Sequence, residues 1–238
     1  MAGIRRGEHR PGRRRRAVVW LGVALILGGL CVLGYVGWQL YGTTYLSKRD
    51  QRATVATTER AWSQDGQGTV SAGERQDLED VADVAALIRI PRLGEQYVVP
   101  ARVGTDDDTL ARGFGILEGS PEPGGVGNLA LAGHRITHGE PLRQMPDLDA
   151  GDEVVVETPD AVSTYVLDTA GDALTVDIDA GWVTGPDPVD PATGSPISEQ
   201  AGSTRLLTLV TCAELFHTDN RLVAFGHLVS TEPKTTPG

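Results

Sequence analysis

Twenty-four consecutive residues, Ala17 to Leu40, carry no charge and are built almost entirely from Val, Leu, Ile, Ala, Gly and aromatic side chains. At about 1.5 Å per helical residue this exceeds the roughly 20 residues needed to cross the hydrocarbon core of a bilayer. Trp20 near one end and Tyr35, Trp38 and Tyr41 near the other are spaced as two interfacial aromatic belts. Seven arginines precede the stretch (Arg5, Arg6, Arg10 and Arg13 to Arg16) against one acid, Glu8. The positive-inside rule then puts the N-terminus in the cytoplasm and the rest of the chain outside. A cleaved signal peptide would have an apolar region of about 7 to 15 residues and an A-x-A-like site. Gly42-Thr43-Thr44-Tyr45-Leu46 follows instead. The expectation is a cytoplasmic basic segment over 1–16 and a single-pass anchor over 17–40.

The outer portion holds 14 basic and 31 acidic residues, a formal charge of −17. A nucleic-acid partner is excluded on that ground, because phosphate binding needs a cationic surface. The arginine run is read as a topology signal with affinity for anionic lipid. Residues 41–82 are polar and acidic with little apolar periodicity, which predicts an extracellular linker, partly helical near Thr57 to Trp62.

Residues 83–230 are enough for one domain with its own core and too few for two. The tail, 231–238, is rich in Pro and Thr and is expected to be disordered. Inside the domain, Ala86 to Ile90, Tyr97 to Val99, Asn128 to Ala132, Glu153 to Val156, Ser163 to Leu167, Arg205 to Val210 and Leu222 to Leu228 are short apolar or alternating runs bounded by Gly, Pro or Asp. Such runs, with only brief helical patterns between them, predict a mainly β fold, a closed barrel of seven or eight strands. Asp107 to Leu117 reads as a helix, with acids at its start and Leu110, Phe114 and Leu117 at helical spacing; Pro141 to Leu148 reads as a second, shorter one.

The reactive candidates are few. Cys212 ends the run Leu206-Leu207-Thr208-Leu209-Val210-Thr211, and the only other cysteine, Cys31, lies in the anchor. Cys212 is thus an unpaired thiol outside the cell, where such a residue suggests chemistry. A cysteine attacks carbonyls as its thiolate, and histidine is its usual activator. His9 is on the cytoplasmic side, and His227 falls inside a strand pattern, where a structural role is the default. His217 sits in the loop after the cysteine, equally placed to approach it or to face solvent. His134 and His138 remain, and His134 closes an apolar strand that would hold its ring on a rigid element. Arg221 opens the next run; a planar donor there suits substrate backbone or a developing oxyanion, and solvation at a strand edge is the plain alternative. Backbone amides around Ala213 are further oxyanion donors. Trp182 and Phe216 are read as core or groove aromatics.

Thr208-Leu209-Val210-Thr211-Cys212 resembles the TLxTC signature of sortases, transpeptidases that attach secreted proteins to the Gram-positive cell envelope. Pro123-Gly124-Gly125-Val126-Gly127-Asn128-Leu129-Ala130-Leu131-Ala132-Gly133-His134-Arg135 resembles the stretch that carries the sortase histidine, and Arg221-Leu222-Val223-Ala224-Phe225 the arginine and strand that follow. The eight-residue connection from Cys212 to Arg221 and the His-Arg-x-Thr-His-Gly continuation are most similar to class E sortases of high-GC actinobacteria. Ala213-Glu214-Leu215 departs from the proline that class often carries two residues after the cysteine. The resemblance implies Cys212 as nucleophile, His134 as acid/base, Arg221 as substrate-binding and oxyanion-stabilising residue, and Thr211 and Ala213 as shapers of the substrate site. It implies cleavage of an LAxTG or LPxTG sorting signal through a thioacyl enzyme, then transfer to an amine of a cell-wall precursor or a pilin lysine. No cofactor is expected, and the acidic residues show no calcium-ligand spacing.

Three other readings compete. His134, His138 and Cys212 could ligate zinc, but i and i+4 ligands need a helix that Gly133, Ile136, Thr137 and Gly139 disfavour. A papain-like thiol hydrolase would begin a helix at its cysteine, whereas Cys212 ends a strand run. An inactive sortase-like scaffold is the third. Pro191-Ala192-Thr193-Gly194, superficially a sorting signal, is a loop because strand runs rather than an apolar tail follow it.

Overall fold

Two apolar runs far apart in the chain, Gly127–Ala132 (β4) and Arg205–Cys212 (β8), lie side by side as parallel strands in the computed structural model, with Leu129 level with Leu207 and Leu131 with Leu209. All four of these leucines are fully buried, as expected of parallel strands covered on both faces. The structure describes residues 13–38, 42–63, 81–212 and 219–234. Of the sequence expectations, residues 1–12 of the basic segment, residues 39–41, residues 64–80, Ala213, Phe216, His217 and the end of the tail lie outside the described residues.

Around β4 and β8 the remaining strands are Val84–Arg89 (β1), Val98–Val103 (β2), Phe114–Ile116 (β3), Glu153–Glu157 (β5), Ala161–Leu167 (β6), Leu174–Asp177 (β7) and Asn220–Pro233 (β9). Their order is β6-β5-β1-β2-β3-β4-β8-β9-β7, and β6 also pairs with β9. Eight strands therefore close a ring, with β7 attached outside it, in line with the expected barrel. The 14-residue β9 makes the closure: one edge takes β8, the other takes first β7 and then β6.

The barrel interior holds Ile88, Ile90, Phe114, Leu129, Leu131, Leu142, Met145, Val154, Tyr165, Leu207 and Leu209 among its buried side chains. A second cluster lies outside the barrel, where Leu206, Val223 and Phe225 meet Val183 and Ile197. Alternation along β8 explains the split: successive residues face opposite ways.

Three expectations change. The helix expected over Asp107 to Leu117 is a single turn, Asp107–Ala111 (α3), capped by the Asp106 carboxylate on Thr109 N at 3.0 Å. Gly113 then turns the chain at φ +151, where a Cβ would stand 2.1 Å from the Pro100 carbonyl, and Phe114–Ile116 joins the sheet beside β2. Pro141 to Leu148 is a series of turns with a short 3₁₀ segment, Met145–Asp147. The third change is larger: Thr43–Ser63 (α2), in the stretch expected to be a linker, is a 21-residue helix in the same compact unit as the barrel. It packs Val55 and Trp62 against Val84, Leu87 and Val98.

The chain divides into two units, Met1–Gly42 and Thr43–Gly238. The first contains the helix Arg13–Gly37 (α1), in which Arg16–Gly37 is long and apolar enough to cross a membrane. Its apolar side chains are exposed all round; Leu25 and Leu33 are each 69% exposed. Such a helix has no face for a protein core and suits a lipid environment.

Candidate active site

The β4–β8 register pairs Ala132 with Val210, and Gly133 N continues it by donating to Val210 O at 3.1 Å. β4 ends at Ala132, and His134 follows two residues later, past the end of the strand. On the other side of β8, Cys212 is paired directly with Arg221 of β9. The strand that ends at Cys212 thus has Arg221 across from it on one side and, on the other, the strand that leads into His134. The barrel topology does this, since β4 and β9 flank β8.

Thr211 fixes the junction. It is 2% exposed, and its Oγ1 donates to Gly133 O at 2.7 Å, joining the cysteine strand to the residue before the histidine. The sequence reading made Thr211 a shaper of the substrate site; here its hydroxyl bonds to the Gly133 backbone. One layer further in, Asn128 Nδ2 donates to Val183 O (3.2 Å) and Gly185 O (3.0 Å), while Thr208 Oγ1 donates to Asn128 Oδ1 at 2.8 Å. This buried network ties the β4–β8 pair to the turn Gly181–Thr184. Residues of the family-like motif stretch thus serve as scaffolding here.

His134 lies just past the end of β4, and Leu142 N donates to its carbonyl at 3.0 Å, closing the intervening loop. Within that loop His138, Gly139 and Glu140 have φ of +52°, +86° and +52°. The loop folds the His138 ring against that of His134, with centroids 5.1 Å apart and planes inclined by 33°. His138 Nδ1 is buried with no hydrogen-bond partner among the described residues.

Burial, and secondarily the neighbouring His138, push the His134 pKa below the ordinary histidine value; Asp107, at the start of α3, pulls the other way. His134 is therefore biased toward the neutral imidazole at neutral pH. Asp107 escaped the sequence reading as part of this environment, because it carries no local signature that ties it to His134; His138 was kept there beside His134, with no role assigned. Arg221 Nη1 donates to Asn220 O at 3.0 Å.

His227 sits elsewhere, on the barrel wall, with Nδ1 2.8 Å from Asp168 Oδ1. Trp182 packs against Phe225 at 6.0 Å between ring centroids, in the outer cluster. His134 and His138 stand on a loop and not on a helix, the geometry that the zinc reading required.

Comparison with known proteins bears on what this arrangement does. A family model described as a sortase domain matches residues 88–229. Sortase SrtE1 of Streptomyces coelicolor is 29% identical over 237 residues, covering 95% of this chain, while the chain spans 61% of that relative's length. Sortase SrtE2 of the same organism is 27% identical, with 95% of this chain and 88% of the relative covered. Among solved structures, sortase E from Streptomyces avermitilis is 34% identical, with a TM-score of 0.53 over 63% of this chain and 91% of that one. Sortase E1 from S. coelicolor, solved with a tripeptide in its active site, is 30% identical, with a TM-score of 0.54 over 63% and 91%. With its barrel matched along most of its length, and with class E members among its relatives, the chain belongs to the sortase family.

Proposed function

We propose that the protein is a membrane-anchored cysteine transpeptidase that cleaves a C-terminal sorting signal of LAxTG or LPxTG type between Thr and Gly and passes the acyl group to an amine. The observation that supports this reading is the strand pairing: β8, which ends at Cys212, is paired with Arg221 of β9 on one side and, on the other, with β4, the strand that leads into His134.

In the first half-reaction the Cys212 sulfur attacks the threonine carbonyl carbon, and its proton goes to His134. The oxyanion of the tetrahedral intermediate is stabilised by Arg221 and by backbone amides near Ala213. As the intermediate collapses, the C–N bond to glycine breaks and His134 returns the proton to the departing amine, leaving a thioester. In the second half-reaction an acceptor amine attacks the thioester carbonyl. His134 takes its proton and returns it to the sulfur as the new amide forms. The depressed pKa of His134 favours both roles. It leaves the imidazole neutral and able to accept, and makes the imidazolium a stronger acid toward a poor leaving amine. Thr211 we assign to holding Gly133, and through it the start of the histidine loop.

The acceptor is the amine of a cell-wall precursor or a pilin lysine, and the donors are secreted proteins bearing the signal. The apolar helix α1 is the single-pass anchor, with the seven arginines before the apolar stretch on the cytoplasmic side and the acidic catalytic unit outside.

The full chain in detergent micelles, incubated with fluorogenic LAxTG and LPxTG peptides and a diglycine acceptor, tests this reading. Cleavage with a peptide thioacyl adduct on Cys212 by mass spectrometry is expected. Cys212→Ala should abolish it, and His134→Ala should lower kcat by about 10²- to 10⁴-fold. Turnover surviving in Cys212→Ala would overturn the proposal, as would an intact wild type that neither cleaves nor acylates.

A further inference from the structure

We infer that α2 is part of the catalytic apparatus: Gln51, with Lys48 one helical turn before it, holds the left-handed loop His138-Gly139-Glu140 and so sets the His138 ring against His134. Gln51 is then a positioning residue for the acid/base, an inference that rests on the transpeptidase reading above.

The loop needs an outside support. Three successive residues with φ between +52° and +86°, two of them not glycine, form a conformation that L-residues rarely adopt, and it persists only where surrounding contacts determine it. Much of that support comes from α2. Gln51, only 6% exposed, donates through Nε2 to His138 O at 3.2 Å. Its amide lies so close to Gly139 that a Cβ there would meet Nε2 at 2.6 Å and Oε1 at 2.7 Å. Lys48 Nζ stands 3.6 Å from Glu140 Oε2, whose side chain is 8% exposed and also receives Arg143 at 2.9 Å. A cavity of about 180 Å³ lined by Lys48, Gln51, Tyr97, Gly139, Glu140 and Arg143 marks the seam between helix and loop.

The helix does not need Gln51 for its own docking. Val55 and Trp62 supply apolar contact, and Glu59 bonds Arg89 at 2.7 Å near the far end. A buried amide aimed at a loop carbonyl, on a helix already seated by other residues, is spent on the loop. What the loop presents is His138, an imidazole with one buried nitrogen unpartnered among the described residues and a ring 5.1 Å from His134. The titratable groups that act on His134 are His138 on its own loop and Asp107 on α3. Of these, α2 reaches only the loop that carries His138.

The test uses the full chain in micelles, labelled at histidine so that the imidazole titrations are read by NMR beside peptide turnover. Gln51→Met keeps length and helix propensity but removes the donor. Its expected effects are an upward move of the His134 midpoint toward the ordinary value of about 6.5, and a fall in kcat of about tenfold with KM within twofold. His138→Ala removes the ring without touching α2 and should move the midpoint the same way, which keeps the inference testable if Gln51→Met folds poorly. Glu59→Gln loosens the far end of α2 and should lower Tm while leaving the midpoint in place. An unchanged midpoint and kcat in Gln51→Met with a lowered Tm, or an unchanged midpoint in His138→Ala, would overturn the inference. The midpoint is read without turnover, so a wild type that cleaves no peptide sinks the transpeptidase reading while the coupling of α2 to His134 is still decided.

Discussion

The two sides of the proposed catalytic site are built differently. Cys212 and Arg221 face each other in a regular antiparallel pair, part of a ladder running from Leu206 opposite His227 to Cys212 opposite Arg221. His134 stands beyond its strand, at the mouth of a loop whose backbone turns left-handed and whose contacts come from a helix some 90 residues earlier. The nucleophile side inherits its geometry from barrel register, where a one-residue slip would turn every side chain to the wrong face. The acid/base side inherits its geometry from a few polar contacts. Damage to the first should appear as lost stability, and damage to the second as lost activity.

The largest effect is expected in the barrel. Leu209 is fully buried, two rungs from Thr211, and packs with the interior cluster. Leu209→Ala should cost about 2 to 5 kcal/mol, since the cavity adds to the lost transfer free energy. Denaturant unfolding reads it, and peptide turnover well below the new Tm should stay within a few fold of wild type. Turnover lost in a folded Leu209→Ala protein would show that packing inside the barrel tunes the chemistry, and would erase the contrast. Next comes Asn128→Ala, which strips the shared partner from Thr208 and from the Val183 and Gly185 carbonyls. Thr208 Oγ1 keeps its own bond to Val183 O at 3.2 Å, so the loss falls mainly on the Gly185 carbonyl and should cost about 1 to 3 kcal/mol. The same measurement applies, and a cost below a few tenths would mean water or repacking replaces the amide.

On the other side, Gly139→Ala is expected to cost about 1 kcal/mol in stability, from the positive φ alone. Its effect on turnover should be the larger one, because a Cβ displaces the Gln51 amide. Parallel Tm and kcat measurements decide it, and a fall in Tm with full kcat would argue that the loop tolerates being pushed.

The contrast also governs what the sequence could disclose. The strands beside Cys212 were legible because their apolar alternation is local, and the candidate residues stood out because they sit in motifs at the ends of those strands. β3 was not, since Leu110, Phe114 and Leu117 fall at helical spacing, and only the turn at Gly113 against the Pro100 carbonyl separates a helical turn from a strand. β7 pairs only with β9, and its exposed Thr175 and Asp177 leave just Leu174 and Val176 as apolar signal. α2 was hidden for a different reason. Its inward stripe is Gln51, Val55, Thr58 and Trp62, at helical spacing but half polar, so hydrophobic periodicity does not register it. The amide that makes the stripe look solvated is the one that reaches the loop. Support for His134 is thus written in residues whose meaning depends on partners 87 positions away.

The smallest expected effect concerns how α2 is held at the end remote from the loop. Arg89 bridges Glu59 of α2 to Glu157 of β5, and Lys234 meets Glu157 at 2.6 Å while its ammonium lies 4.9 Å from the centre of the Trp62 ring. Burial alone would raise the Glu157 pKa, but the bonds from Lys234 and Arg89 outweigh it and hold the carboxyl below the ordinary glutamate value. A carboxyl whose folded pKa is depressed stabilises the fold above its unfolded pKa, about 4.3, and that contribution is lost as pH falls through the folded value. Glu157→Gln should therefore lower stability by about 1 kcal/mol at pH 7, a few degrees in Tm. The gap from wild type should close as the pH is lowered below about 4, where the wild-type carboxylate is protonated as well. Peptide turnover at pH 7 should barely change, because these charges seat the helix and do not touch the loop. A Tm gap constant from pH 7 to pH 3 would mean that Glu157 acts by packing. A drop in turnover matching that of a loop variant would mean that the whole helix, and not its Gln51 end, sets the acid/base side.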